Sequence, residues 1–379
     1  MDAMASPQEN PPAAPPAAPQ APRSRKVLFG VTTGLFWFSL YVYVALLGPH
    51  VEAAGASHAQ VGAVVGSYGL AQMLLRIPLG LLSDHLRHRR AFITLGFALS
   101  AGSALLFLLG GSVPALFAAR TLAGCAAATW VHFTVLFASY HRPEDFTRAM
   151  GILNAANLAG QTTALMLGGL VSGVAGMGPV FLIALGAGLL GVLLSRLLVE
   201  RRDPDGPGLD PTHLPALLRS RILLAATGMA VFQQLLSFST QFGFVPVFAR
   251  DRLAATDAQL GTLASVTSLA TALGSLAIGT LLLPRIRGRE MAANVTTLLV
   301  SSLCVALIPL GGSWTLLLVL QVLGGFARGM TFTLSMGLAV GTASPALRAT
   351  AMGIYQSLYG LGMLFGPVLS GALSDRWGL

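Results

Sequence analysis

The chain has 379 residues, of which 54% are hydrophobic and 10% are charged, and its mean hydropathy is +0.72. Soluble globular domains carry about 25% charged residues, so this composition excludes a water-soluble domain. The formal net charge is +9, but the basic residues lie in short breaks between apolar stretches, which excludes a nucleic-acid-binding face. Cys125 and Cys304 both lie inside apolar stretches, where buried thiols are expected rather than a disulfide framework.

The chain begins with a segment unlike the rest. Residues 1–22 are rich in proline and alanine and lack apolar periodicity, and the basic run RSRK follows them. We predict that residues 1–26 form a disordered tail. The apolar run after this tail is far longer than the core of a signal peptide and ends without a small-residue cleavage site, so it is predicted to be a retained first helix.

Eleven apolar stretches then follow, each long enough for the about 20 helical residues that cross a bilayer. They are 27–48, 59–82, 92–110, 113–138, 148–173, 178–200, 222–248, 259–283, 292–312, 315–341 and 349–373. Their interiors are rich in glycine and alanine, which lets helices approach closely in lipid. The sequence therefore predicts an all-α polytopic membrane protein whose essential partner is the lipid bilayer.

An internal repeat divides these helices into two related halves. The tetrapeptide AMGI occurs at Ala149–Ile152 and again 202 residues later at Ala351–Ile354. At the same spacing, Gly160 matches Gly362 and Gly169 matches Gly371. We predict two pseudo-symmetric six-helix bundles, at 27–200 and 222–379, joined by a cytoplasmic linker at 201–221. The repeat places a twelfth helix near 380–402, so we expect it to be missing from this sequence, which holds eleven.

The distribution of Lys and Arg predicts the orientation. With the N-terminus in the cytoplasm, 17 of the 23 basic residues lie in cytoplasmic segments, three lie outside and three lie within spans. Positive charge accumulates on the cytoplasmic side of membrane proteins. Arginine outnumbers lysine 22 to 1, which is typical of a GC-rich bacterial genome. We therefore expect a multi-pass protein of the bacterial inner (plasma) membrane.

The loop after the second predicted helix, GLLSDHLRHRR, combines one aspartate with a basic cluster. Asp84 lies where the N-terminus of predicted helix 11 reaches the cytoplasmic face, and a carboxylate there can accept hydrogen bonds from free main-chain N–H groups. We predict a cytoplasmic gate that latches the two halves; the alternative is an aspartate in a solvated loop. The gate motif comprises Gly80, Leu82, Ser83, Asp84, Arg89 and Arg90.

At these residues the chain resembles the major facilitator superfamily, although His85 and Arg87 depart from the loop signature of that family. The run RTLAG from Arg120 resembles its fourth-helix element, and GMLFGPVLSG at Gly362–Gly371 resembles its glycine-proline packing element. The resemblance implies a fold of two six-helix bundles whose helices 1, 4, 7 and 10 line a central cavity. The helix-packing glycines and proline are Gly160, Gly168, Gly169, Gly362, Gly366, Pro367 and Gly371.

Three arginines, Arg76, Arg120 and Arg328, lie within the spans, and no Asp or Glu lies in the middle of any span. An ionisable residue inside the membrane indicates function. The candidate cavity residues are Arg120, Gln234, Gln241, Gln321, Arg328 and Ser335, of which the last three share one helix face at a seven-residue spacing. Two alternatives stay open: the arginines bind an anionic or strongly polar solute, or they hold neighbouring helices. Arg76 is predicted to lie at a helix interface.

His132 is the candidate proton site, because histidine titrates near neutral pH. It lies 12 residues from Arg120, about 120° around an ideal helix, which favours a packed histidine as the alternative. The choice between a coupling proton, another ion and no coupling at all stays open.

We expect a secondary active transporter that moves a small-molecule solute by rocking of its two halves, in the direction of efflux of a small organic compound. One alternative is uptake of an organic anion. Another is a transport-inactive membrane sensor or assembly factor with the same fold. The sequence carries no Walker loop, metal-ligand cluster or nucleophile constellation, so we expect no enzyme activity, cofactor or metal. A monomer is expected.

Overall fold

The computed structural model describes residues 21–86, 88–142, 145–200, 214–310, 312–341, 343 and 347–378. Within these residues every regular element is helical, and eleven helices are long and apolar enough to cross a membrane. The predicted all-α polytopic architecture with eleven spans is thereby confirmed. We number them α1 Arg23–Ala53, α2 His58–Leu86, α3 Arg89–Leu109, α4 Val113–Ala138, α5 Phe146–Ala175, α6 Met177–Ser195, α7 Arg221–Leu253, α8 Asp257–Ala277, α9 Glu290–Ala306, α10 Trp314–Gly341 and α11 Arg348–Trp377.

The helix ends extend past several predicted stretches. The first helix begins at Arg23 rather than at residue 27, directly after Pro22, and α2 continues to Leu86 rather than 82. Hydropathy detects only the apolar part of a helix, whereas the backbone keeps its hydrogen bonds through polar residues at the membrane surface. Residues 1–20 of the predicted tail and residues 201–213 of the predicted linker lie outside the described residues.

The first helix of each half is irregular, and in the described chain α4 is also interrupted at Thr129 and a π-helical segment, Ile278–Leu282, follows α8. The first span is α-helical over Arg23–Tyr41, passes through a 3-10 turn at Val44–Leu46 and resumes at Leu47–Ala53. The seventh span contains a π-helical segment at Thr240–Phe244. These irregular segments meet, because a methyl group placed on Gly48 would lie 2.8 Å from the carbonyl oxygen of Gly243. Discontinuous helices at corresponding positions of two repeats are typical of transporter binding sites.

The two most extensive contacts between the halves are those of α2 with α11 and of α5 with α8. Glycines make the first pairing close: Gly62, Gly66 and Gly69 of α2 each lie against the backbone of α11 between residues 363 and 368. In the second pairing, Gly169 lies against Gly261. Small residues at a crossing allow helix backbones to approach closely enough for dispersion to stabilise the contact.

These contacts are concentrated toward one end of the molecule. Among the described residues, the hydrogen bonds between the halves involve positions 58–76 of α2 and 162–172 of α5. We call the end that carries residues 52–58, 172–177, 250–257 and 371–377 the closed face. The opposite face carries the loops that contain most of the arginines.

Candidate solute site and gates

Arg120 of α4 is buried, with 1% of its surface exposed. Its guanidinium carbon lies 4.1 Å from the centre of the Tyr68 ring, at cation–π distance. The phenol of Tyr68 in turn lies beside that of Tyr41. Within the described parts of the chain, Nε and Nη1 of Arg120 have no hydrogen-bond partner. A buried guanidinium with two free donors fits water or an anionic group of a solute, because an unpaired buried charge is costly.

Arg76 of α2 joins the two halves. Its Nη1 donates to the Tyr359 hydroxyl at 2.9 Å and to the carbonyl oxygen of Gln356 at 3.4 Å, both on α11. Its Nη2 donates to Oε1 of Gln72 at 2.5 Å. The structure thus places Arg76 at a helix interface, as the sequence predicts, and that interface is the one between the halves.

The polar face of α10 lies against α9. Arg328 is 1% exposed, and its Nη2 donates to Oε1 of Gln321 at 3.3 Å. On the same side, Ser335 accepts a hydrogen bond from Nδ2 of Asn294 at 2.9 Å, and the Thr331 hydroxyl donates to that of Thr297. Gln321, Arg328 and Ser335 therefore do share one face. Their contacts are with α9 and within α10, in the C-terminal bundle, whereas Arg120 contacts α2.

The candidate glutamines of α7 are placed differently from each other. Gln241 is buried in the π-helical segment, and its Nε2 donates to the Ser268 hydroxyl of α8 at 3.1 Å. Gln234 is half-buried. Its neighbour Gln233, which the sequence analysis missed, is buried and donates to the Ser237 hydroxyl, while its Oε1 has no partner among the described residues.

A chain of aromatic rings crosses from one half to the other beside Arg120. We call it the central aromatic cluster; it consists of Trp130, Trp37, Tyr41, Phe242, Phe238 and Tyr68, with successive ring centres 5.3, 5.7, 5.8, 5.1 and 6.1 Å apart. The sequence analysis missed these rings, because aromatic residues four positions apart are ordinary in apolar helices. Only their convergence from α1, α2, α4 and α7 distinguishes them.

His132 lies within the N-terminal bundle. Its Nδ1 is 2.9 Å from the carbonyl oxygen of Thr129, its Nε2 is 3.2 Å from that of Leu79, and its ring stacks on Phe92 at 4.6 Å. The ring is therefore packed between α2, α3 and α4. Its role as a proton site stays a prediction.

The loop motif makes a contact that the sequence analysis did not predict. Ser83 is buried and donates to the carbonyl oxygen of Gly80 at 2.9 Å. The main-chain N–H groups of Arg89 and Arg90 donate to Glu200 at 3.1 and 2.7 Å, so this carboxylate caps the N-terminus of α3. The sequence analysis missed Glu200. Leu82 is exposed, and the side chain of Asp84 and all of Arg87 lie outside the described residues, so the latch stays a prediction.

The packing glycines lie where another backbone passes. Gly160 and Gly168 face Gly34 and Val42 of α1, and Gly362 and Gly366 face residues 231–239 of α7. The remaining members lie between the halves: Gly169 faces α8, Gly371 faces the carbonyl oxygen of His58, and the carbonyl of Pro367 lies against Gly62.

Two carboxylates connect the halves at the closed face. Asp375 of α11 accepts hydrogen bonds from the main-chain N–H groups of His58 and Ala59 at 2.8 and 3.0 Å, at the first turn of α2. Nε2 of His58 lies 3.1 Å from Glu52. Asp257, the first residue of α8, accepts a hydrogen bond from the Ser172 hydroxyl of α5 at 2.5 Å and pairs with Arg250.

The structure has two related helical bundles with polar and aromatic side chains between them. This arrangement is typical of polytopic membrane proteins of the secondary-transporter class. The family model of the Major Facilitator Superfamily matches residues 29–291 and 227–379. The chain belongs to this superfamily, and the resemblance found in the sequence is confirmed. Members of this family and fold are transporters rather than enzymes.

Among curated proteins, the chain is similar to the inner membrane transport protein YajR of Escherichia coli strain K12, with 28% identity over 163 residues. That match covers 42% of this chain and 36% of YajR, so it spans about a third of the relative. The similarity supports a multi-pass membrane protein.

Three solved structures share the fold. A bacterial homologue of the human lysosomal transporter Spinster, in an inward-facing and occupied conformation, has a TM-score of 0.74 at 18% identity and covers 95% of this chain and 83% of its own. The nucleoside transporter NupG has a TM-score of 0.71 at 18% identity, with 93% and 91% covered. The human organic anion transporter MFSD10 has a TM-score of 0.66 at 21% identity, with 94% and 95% covered.

Proposed function

We propose that this chain is a secondary transporter that exports a small organic solute bearing a negative charge, by alternating access around a site between its halves. The observation that carries the proposal is the buried guanidinium of Arg120, which lies beside the interface of the halves with two free donors. An anionic group of a solute would accept from these donors and compensate the charge.

The charge balance of the interior supports an anionic solute over a cationic one. Within the described residues, no carboxylate forms an ion pair with Arg76, Arg120 or Arg328. A cation entering this interior would meet like charge without a counter-ion, whereas an anion would be attracted in a medium of low dielectric constant. The fold is also that of MFSD10, which is named as an organic anion transporter, and this likeness supports an organic anion as the solute.

The contacts between the halves support alternating access. They join the halves at the closed face, and the positive charge of the opposite loops predicts that this opposite face is cytoplasmic. We therefore assign the structure to a state closed toward the outside. Transport requires a second state in which these contacts separate and the opposite ends approach.

The test is solute counterflow in proteoliposomes with a panel of labelled organic anions, cations and neutral compounds. We expect exchange of an anion, and we expect Arg120→Gln to lower its initial rate about tenfold or more, since a charge-assisted hydrogen bond contributes about 1.5–3 kcal/mol. Arg287→Gln is the matched control, because it makes the same change at an exposed loop arginine. Preserved anion exchange in Arg120→Gln would contradict the proposed role of this arginine.

Direction is tested in inside-out and right-side-out membrane vesicles under an imposed ion gradient. Accumulation in the inside-out vesicles supports export, whereas accumulation in the right-side-out vesicles supports the alternative, uptake of an organic anion. A protein that exchanges no solute of the panel would overturn the transporter proposal in favour of a transport-inactive sensor or assembly factor.

A further inference from the structure

We propose that the solute is an aromatic anion, whose ring is bound by the central aromatic cluster and whose carboxylate or sulfonate is bound by Arg120. This inference rests on the proposed transport of an organic anion and specifies its chemical class. Four features of the interface between the halves lead to it.

The first feature is the position of the cluster across the boundary that transport must open. Tyr68 of α2 faces Phe238 of α7 at 6.1 Å with the ring planes only 19° apart, and Tyr41 of α1 meets Phe242 of α7 edge-on at 5.8 Å. When the halves separate, these ring faces lose their partners and become exposed to water. A solute ring placed between them restores the contacts, so the cluster favours an aromatic ligand in the open state.

The second feature is the irregular backbone at the same place. The 3-10 turn of α1 begins three residues after Tyr41, and the π-helical segment of α7 contains Phe242 itself. A π-helical segment shifts the direction of the following side chains and occurs frequently at functional sites. Irregular backbone in the first helix of both halves, where the two helices meet, favours a binding site there.

The third feature is a set of donors without acceptors. Within the described residues, Nε1 of Trp37 and two guanidinium nitrogens of Arg120 are buried and have no hydrogen-bond partner. Trp and Arg side chains can only donate. An acceptor group is therefore the complement of this region, and an anionic group also compensates the arginine charge.

The fourth feature is the closeness of the guanidinium to a ring. The guanidinium carbon of Arg120 lies 4.1 Å from the centre of the Tyr68 ring, and Nε and Nη1 have no partner among the described residues, so an anion can bind to them beside this ring. The anion-binding donors and the ring faces are thus adjacent, which matches a flat molecule with its charge attached directly to the ring.

The experiment measures binding to the purified full chain by isothermal titration calorimetry with three probes of similar size. They are naphthoate (an aromatic anion), its saturated decahydro analogue (an aliphatic anion) and naphthalenemethanol (a neutral aromatic). We expect naphthoate to bind best. Phe238→Leu removes a ring without removing any polar atom, and should weaken naphthoate binding about three- to tenfold while changing that of the saturated anion less than about twofold.

Two further variants complete the test. Arg120→Gln should weaken both anions about tenfold or more and leave the neutral aromatic within about twofold. Phe107→Leu is the control, since Phe107 stacks on Phe181 of α6, away from α7. Monodisperse elution of each variant shows that it is folded.

Equal affinity for naphthoate and its saturated analogue would overturn the aromatic assignment and leave anion transport standing. Loss of binding for all probes in Phe238→Leu, with the protein still monodisperse, would also overturn it, because the ring would then support the site rather than recognise a ring. Preferential binding of the neutral aromatic would overturn the anionic assignment and the proposed function together.

Discussion

At the residue scale, the interior contains three buried arginines that have no carboxylate partner among the residues that the structure describes. Each has a different environment: Arg120 lies on an aromatic ring, Arg76 donates across the boundary of the halves, and Arg328 lies between α9 and α10. A guanidinium keeps its charge even when buried, so each must be compensated by acceptors, rings or a ligand. The environment, and not the residue type, separates a structural arginine from one available to a solute.

For Arg76 we predict a contribution to the closed state. Arg76→Gln removes the bond to the Tyr359 hydroxyl, and a hydrogen bond to a charged group contributes about 1.5–3 kcal/mol. We expect this variant to shift the population toward the state with separated halves about tenfold or more. Tyr359→Phe should act in the same direction, and the double variant should add little to Arg76→Gln, because both remove one interaction. The populations are measured from spin-label distances across the closed face. If the shifts of Arg76→Gln and Tyr359→Phe added fully in the double variant, the two residues would not share a stabilising hydrogen bond.

For His132 we predict a structural contribution. Both ring nitrogens face main-chain carbonyls and the ring stacks on Phe92, so His132→Asn should reduce counterflow and gradient-driven transport by similar factors and lower thermal stability. A coupling proton site would behave differently, because loss of the proton acceptor abolishes gradient-driven transport while exchange continues. Selective loss of the driven mode would therefore assign the coupling proton to His132.

At the element scale, carboxylates at helix ends join the two halves at the closed face. Asp375 at the end of α11 caps α2, and Asp257 at the start of α8 accepts from Ser172 near the end of α5. Glycines at equivalent positions of the repeat, Gly371 and Gly169, allow both approaches. A carboxylate at a helix N-terminus is stabilised by free N–H groups and by the helix dipole. The closed face is thus held by short, reversible contacts.

We predict that Asp375→Asn weakens this closure, because the amide keeps the shape of the side chain but loses its charge. The amide also keeps only one of the two oxygens that accept from His58 and Ala59, so we expect a severalfold shift toward the open face. Spin labels at Ala54→Cys and Asp251→Cys, with both native cysteines replaced by serine, report the distance between the halves at exposed positions. Glu290→Gln is the control, since Glu290 accepts a hydrogen bond from Gly288 within its own loop. An unchanged distance distribution in Asp375→Asn would rule out this latch.

At the scale of the whole molecule, the charge asymmetry predicts the orientation in the membrane, and the repeat relates the helix pairs on the two sides of the boundary between the halves. The pairs α2 with α11 and α5 with α8 occupy corresponding positions of the two halves. A rocking movement of the two halves about the boundary between them can therefore close either face, with equivalent helices making the contacts in each case. The irregular segments of α1 and α7 lie on this boundary, where a solute would be held.

The orientation itself is a prediction. We expect cysteines placed at Arg89 and Arg287 to react with a membrane-impermeant maleimide only in inside-out vesicles, and a cysteine at Arg252 only in right-side-out vesicles, because the loop charge predicts a cytoplasmic N-terminus. If the cysteines at positions 89 and 287 reacted from opposite sides of the membrane, both the orientation and the predicted number of spans between these positions would be wrong.

The sequence by itself determined the eleven spans, the halves and the family. Each follows from local patterns: apolar stretches long enough to span a bilayer, the distribution of Lys and Arg among the loops, and repeated glycine motifs. Only the tertiary structure decided which way each polar face points. A seven-residue spacing shows that Gln321, Arg328 and Ser335 share a face, but the neighbouring helix determines that this face lies against α9. Likewise, the rings around Arg120 come from four helices distant in sequence, and their convergence depends on packing angles that no local pattern encodes.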